Sequence, residues 1–156
     1  MQTFLPLPSL GQSIRCLDNK RLGKQRVEAF QILKALRESK CCDSYSCVEY
    51  KTTGGAWVNH PATKMWRGYE STLAFYKNLC IEEWVRRGFK NTMEFSKTHL
   101  FEMPHWFGIE KFHASHRSNL LRKDSDHYSQ YGWEEKNNLP YFWPSPIDLR
   151  EVECYE

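Results

Sequence analysis

Met65, Tyr69, Leu73, Tyr76, Cys80 and Trp84 recur at intervals of three and four, a series that an α-helix gathers onto one face. No other feature constrains the chain as strongly, because so long an apolar stripe has to be covered by other elements. Pro61 suits the first helical position, where a missing N–H costs nothing, and Gly88 suits the stop. The spacing therefore predicts one long helix over about 61–87. A second stripe, Leu22, Ala29, Leu33 and Leu36, predicts a helix over about 18–39, capped by Asp18 and weakened near its start by Gly23. A third helix is expected over about 108–123. Between these lie irregular stretches: an N-terminal run with Pro6, Pro8 and Gly11, a polar cysteine-bearing loop over 39–55, and residues 90–108 with Pro104 as breaker. The remainder is rich in loops and ends in an acidic tail at about 145–156. The expectation is an all-α, compact helical bundle with irregular connecting loops.

Length and composition narrow the class. With 156 residues and 40% hydrophobic side chains, the chain suffices for one core, so residues 1–156 read as one domain. No run approaches the ~18 apolar residues of a membrane helix, so no membrane partner is expected. The start lacks the charged and apolar regions of a signal peptide, which leaves the cytoplasm by elimination. The cysteines then read as reduced thiols. Cys41, Cys42 and Cys47 lack the Cys-x2-Cys spacing that grips zinc. No metal and no cofactor are expected.

The net charge of +3 is small, but it is unevenly spread. The first basic block covers 17–28. At ~100° per residue, Arg21, Lys24, Gln25 and Glu28 share one side of a helix. Arg26 falls inside the apolar stripe, where a guanidinium needs either a carboxylate, such as Glu70 or Glu82, or an anionic ligand. The second block covers 54–70. Asn59 or Thr63 can satisfy free amides at a helix start, and His60, Lys64, Trp66 and Arg67 combine a titratable ring, a flat ring and two cations. Core packing of Trp66 and capping by His60 are the structural alternatives. The third block holds His113, His116, Arg117, Arg122 and Lys123, whose donors suit phosphates and hydroxyls better than a metal. Residues 139–144, with Tyr141, Phe142 and Trp143, suit either a base-stacking platform or a cover for the core. The three blocks are expected to converge on one concave positive site.

With these blocks, the chain resembles the pyrimidine-dimer DNA glycosylase superfamily of the phage endonuclease V type, and more closely a bacterial and phage branch of it. The strongest parts are 17–33, 60–89 and 113–128. The resemblance implies a compact helical domain with its first helix crossing the centre. It also implies catalysis by an N-terminal amine that attacks the sugar C1′ and forms an imine, assisted by a glutamate on that helix. Glu28 is the acid nearest to that glutamate, and Arg26 matches a phosphate-binding arginine. Family members remove the initiator methionine ahead of a small residue. Here Gln2 follows, so the amine is that of Met1; Lys24 or Lys64 could replace it only with a depressed pKa.

Two readings follow. The first is a DNA-repair-like glycosylase and abasic-site lyase acting on damaged or modified pyrimidines, with Trp57, Trp66 or Trp143 filling the gap left by an unstacked base. The second is a non-catalytic binder of DNA or of a phosphate-bearing nucleotide, such as a phage-encoded trap for a nucleotide signal.

Overall fold

The computed structural model describes residues 1–40, 50, 55, 57–99 and 101–144. Among them all regular structure is helical: α1 (Leu10–Cys16), α2 (Asn19–Ser39), α3 (Pro61–Lys64), α4 (Glu70–Arg86), α5 (Glu110–Lys123), α6 (Ser125–Tyr128) and a 3-10 turn over Ser129–Tyr131. The sole extended pairing described is an isolated antiparallel bridge between Lys40 and Tyr50. Most of the expected 39–55 loop, and the acidic tail, lie outside the described residues.

Helix α2 begins as the sequence predicts, with the Asp18 side chain accepting the Arg21 N–H. Its Leu22, Ala29, Ile32, Leu33 and Leu36 are buried against Leu73, Tyr76 and Cys80 of α4. Fully burying each such leucine or isoleucine contributes about 1.5–3 kcal/mol. Gly23 is needed where the two helices meet. A Cβ there would lie 3.1 Å from two ring carbons of Trp84.

The expected single helix over 61–87 is two helices. At Gly68 the chain takes a φ of 82°, a left-handed conformation that favours glycine. The Tyr69 N–H then closes a tight turn onto the Trp66 carbonyl at 2.9 Å. The apolar stripe nevertheless stays continuous on the inside, because Met65 and Trp66 are fully buried. The far end is as expected. Gly88, with φ 90°, donates to the Val85 carbonyl and Phe89 donates to the Trp84 carbonyl. The Phe89 ring stacks on Trp84 at 4.2 Å, completing a glycine-terminated helix stop.

Two further corrections concern the expected irregular stretches. The N-terminal region contains α1, capped by Ser9, with Leu10, Ile14 and Leu17 buried at helical spacing. Its prolines lie before the cap and so do not oppose it. After α5, which forms as expected, Asp124 caps α6. Consequently the helix expected to be first is second in the chain.

Candidate functional site

Residues 2–6 are all buried and outside any helix, and among the described residues no strand pairs with them. Buried backbone polar groups require partners, and side chains of the first and third basic blocks and of α4 supply them, while the second block reaches the strap through the Thr3 side chain. Gln25 Nε2 donates to the Gln2 carbonyl at 2.9 Å, and the Phe4 N–H donates to Gln25 Oε1 at 2.8 Å. Trp66 Nε1 donates to Thr3 Oγ1 at 3.0 Å. The Tyr76 hydroxyl lies 3.0 Å from the Phe4 carbonyl and 2.8 Å from Gln25 Oε1. The Leu5 N–H donates to His116 Nδ1 at 2.9 Å, and the Leu5 carbonyl lies 2.7 Å from His113 Nδ1. Arg117 donates to the Pro6 carbonyl at 2.8 Å. Gln25, Trp66, His113, His116 and Arg117 therefore meet on the chain's own N-terminal strap, whereas Arg26 does not join them.

This changes the role of several expected ligand contacts. Gln25 is fully buried with every amide donor and acceptor engaged, since Nε2 also donates to Glu28 Oε2 at 2.9 Å. Trp66 is core. His113 is neutral, because its Nε2 accepts the Gly108 N–H, which leaves the proton on Nδ1 facing Leu5. Burial lowers its pKa. Burial, reinforced by His113, pushes His116 down to about 3. Arg117 is 7% exposed and ion-paired with Glu110 and Glu135. Arg21 pairs with Asp18 at 3.3 Å and Asp124 at 3.8 Å.

Arg26 meets neither expected acid. Glu70 instead faces Lys40 at 3.6 Å. The Arg26 guanidinium lies 4.3 Å from the centre of the Trp84 ring and donates to Asn91 Oδ1 at 2.9 Å. Two residues along an ideal helix turn it about 160° from Glu28. Arg67 covers the Tyr50 ring at 5.4 Å, and Arg122 bonds Asn119. Lys24 and Lys123 are exposed, and Lys64 is half-buried.

Around Met1 a different group assembles. Met1 itself is half-buried and packed on the core. The Gln2 N–H points to Glu28 Oε2 at 3.4 Å. His60 caps α3 by accepting the Ala62 N–H on Nδ1 at 3.0 Å. Its pKa is lowered by burial and, beyond that, by the positive charge of the N-terminal amine. Tyr141 also belongs here. Burial raises its phenol pKa, with Arg122 opposing and Glu28 adding to the rise. Glu28 thus reaches the Gln2 N–H, while His60 and Tyr141 are joined through the Trp143 ring. The sequence offers Tyr141 only as part of an aromatic segment that suits base stacking or core cover, not as a titratable group. It had no signal for Thr3 or Tyr76.

A protein-family model described as pyrimidine dimer DNA glycosylase matches residues 1–97. That span holds α1 to α4, the strap and Glu28, and stops short of α5 with its two histidines. No curated protein and no solved structure matches the chain.

Proposed function

We propose that this chain, which belongs to the pyrimidine dimer DNA glycosylase family, is an imine-forming DNA glycosylase and abasic-site lyase. One observation carries the reading: Gln25 fixes both the strap that ends in the Met1 amine and the Glu28 carboxylate. Holding nucleophile and acid–base group in one frame removes much of the entropic cost of bringing them to the sugar. The amine attacks C1′, and the glycosidic bond breaks with its electron pair leaving on the base. Proton loss from the amine nitrogen and opening of the sugar ring give the imine. Glu28 accepts a proton in this sequence, and abstraction of the C2′ proton then expels the 3′ phosphate.

Borohydride reduction during reaction with abasic or dimer-containing duplex tests the reading. The expected result is a covalent adduct on the peptide that contains Met1, lost when residues are added ahead of it. Absence of an adduct on both DNAs overturns it. A non-catalytic nucleotide binder is the second reading. It is favoured by the occupation of Arg21 and Arg117 by internal carboxylates, which withholds them from a DNA backbone. Salt separates the two. Duplex binding weakens with a log–log slope of roughly −0.9 per neutralised phosphate, whereas a caged small ligand shows little slope.

A further inference from the structure

A run of rings leads outward from the buried strap. Phe4 meets His116 at 6.0 Å, His116 meets Tyr141 at 5.8 Å, and Tyr141 meets Trp143 at 5.5 Å. Trp143 meets His60 edge-on at 6.0 Å, and His60 meets Trp57 at 5.5 Å. Phe4 is 5% exposed at one end of this run, while Trp57 at the other is 47% exposed. The other tryptophans are engaged differently. Trp66 and Trp106 are fully buried, Trp84 lies between Arg26 and Phe89, and Trp133 stacks on Tyr128 and Tyr131. Trp57 is not a loose side chain on a bare surface. The His60 N–H donates to the Trp57 carbonyl at 3.2 Å, which fixes the backbone on which the indole stands. Its neighbour His60 is locked as well, because Nδ1 is committed to Ala62 and the neutral ring therefore carries its proton on Nε2.

We propose that Trp57 is the stacking surface for an unpaired nucleobase of the DNA, next to the sugar that the Met1 amine attacks, and that His60 backs it with a single hydrogen-bond donor. This rests on the reading under Proposed function. The arrangement fits a base better than a phosphate: the half-exposed group is a flat indole ring, not a cation, and every base has a face that can stack on one. It also makes Trp57 a specificity-determining residue, since an unpaired base has a free face and a paired, stacked one does not. Trp66, the other candidate of the second block, is excluded from this role by its burial.

The test uses the full chain and a duplex with an abasic site flanked by 2-aminopurine, comparing the parent with Trp57→Ala and Trp57→Phe. The parent is expected to quench the 2-aminopurine as it binds. Trp57→Ala is expected to lose the quenching and to bind roughly tenfold or more weakly. Trp57→Phe should restore most of the affinity. An unchanged melting temperature in Trp57→Ala separates the effect from misfolding. Equal quenching and affinity in the parent and Trp57→Ala overturn the proposal, even if trapping proceeds. If instead the parent forms no adduct but Trp57→Ala still loses quenching and affinity, the stacking surface stands and the imine chemistry falls.

Discussion

The two sides of α2 carry similar residues and do opposite things with them. On the Gln25–Glu28 side, the polar atoms of Gln25 are all bonded and the strap is locked against the helix. On the other side Arg26 lies on Trp84. Further along that side Val27 and Phe30 stand 43% and 49% exposed, lining a groove of about 1670 Å³ with Lys34, Arg37, Phe95 and Phe101. The lesson is that cations counted along a helix do not locate its chemistry. Here the strap is anchored by an uncharged glutamine that bonds the Gln2 and Phe4 backbone together with Glu28 and Tyr76, and the arginine of the same turn rests on Trp84.

Replacing Gln25 strikes this contrast hardest. Gln25→Glu keeps the size but turns the donor nitrogen, which faces the Gln2 carbonyl and the Glu28 carboxylate, into an acceptor. An uncompensated buried charge costs about 3–5 kcal/mol. Urea unfolding should show a loss of that order, together with loss of borohydride trapping. A variant within 1 kcal/mol of the parent, still trapping DNA, would remove Gln25 from the centre of the account.

Acid should loosen the strap next. The His113 and His116 pKa values are lowered in the folded chain, His116 to about 3. The unfolded chain therefore binds more protons between the ordinary histidine value of about 6.5 and that lower one. Stability is complete above the unfolded value and falls as pH drops through this window, by roughly 1.4 kcal/mol per pH unit for a single such group. His116→Asn, whose side-chain oxygen can accept the Leu5 N–H, should flatten this acid limb. An equally steep limb in that variant would place the titration elsewhere.

These histidines also show what the sequence made legible. The α2 cap at Asp18, the apolar stripes and the Gly88 stop were readable, because each depends on neighbours within a turn or two. His113, His116 and Arg117 were readable as polar and cationic but not as buried. Their partners are Leu5 and Pro6, more than a hundred residues away, and no local pattern announces a backbone carbonyl in want of a donor. The split at Gly68 was missed for a related reason. The stripe continues through it, so periodicity alone could not distinguish a continuous helix from two that share one inner face. Glu28 and Met1 came from resemblance, and the structure sets both beside Gln2.

Two smaller effects sharpen the comparison from the Arg26 side. Arg26→Gln should leave trapping near the parent level and cost about 1–2 kcal/mol, the size of a partly desolvated cation–π contact. Lost trapping with an unchanged melting temperature would show that Arg26 reaches substrate after all. Gly23→Ala gains about 1 kcal/mol of helix propensity but forces a methyl to 3.1 Å from an indole held between Arg26 and Phe89. Overpacking costs about 1–3 kcal/mol, so calorimetry should record a net loss near 1 kcal/mol. A stabilised variant would mean that Trp84 can retreat.

The strap has a kinetic side as well. Leu5 and the histidine that receives its N–H are 111 residues apart. That bond joins segments far apart in the chain, and closing so long a loop is entropically slow. Helices α2 and α4 can pair early, through contacts much closer in sequence, while the amine is still free in solution. Its seating should coincide with the docking of α5, so reactivity of this chain toward an aldehyde sugar should appear as the final event of refolding, after most helical signal has returned.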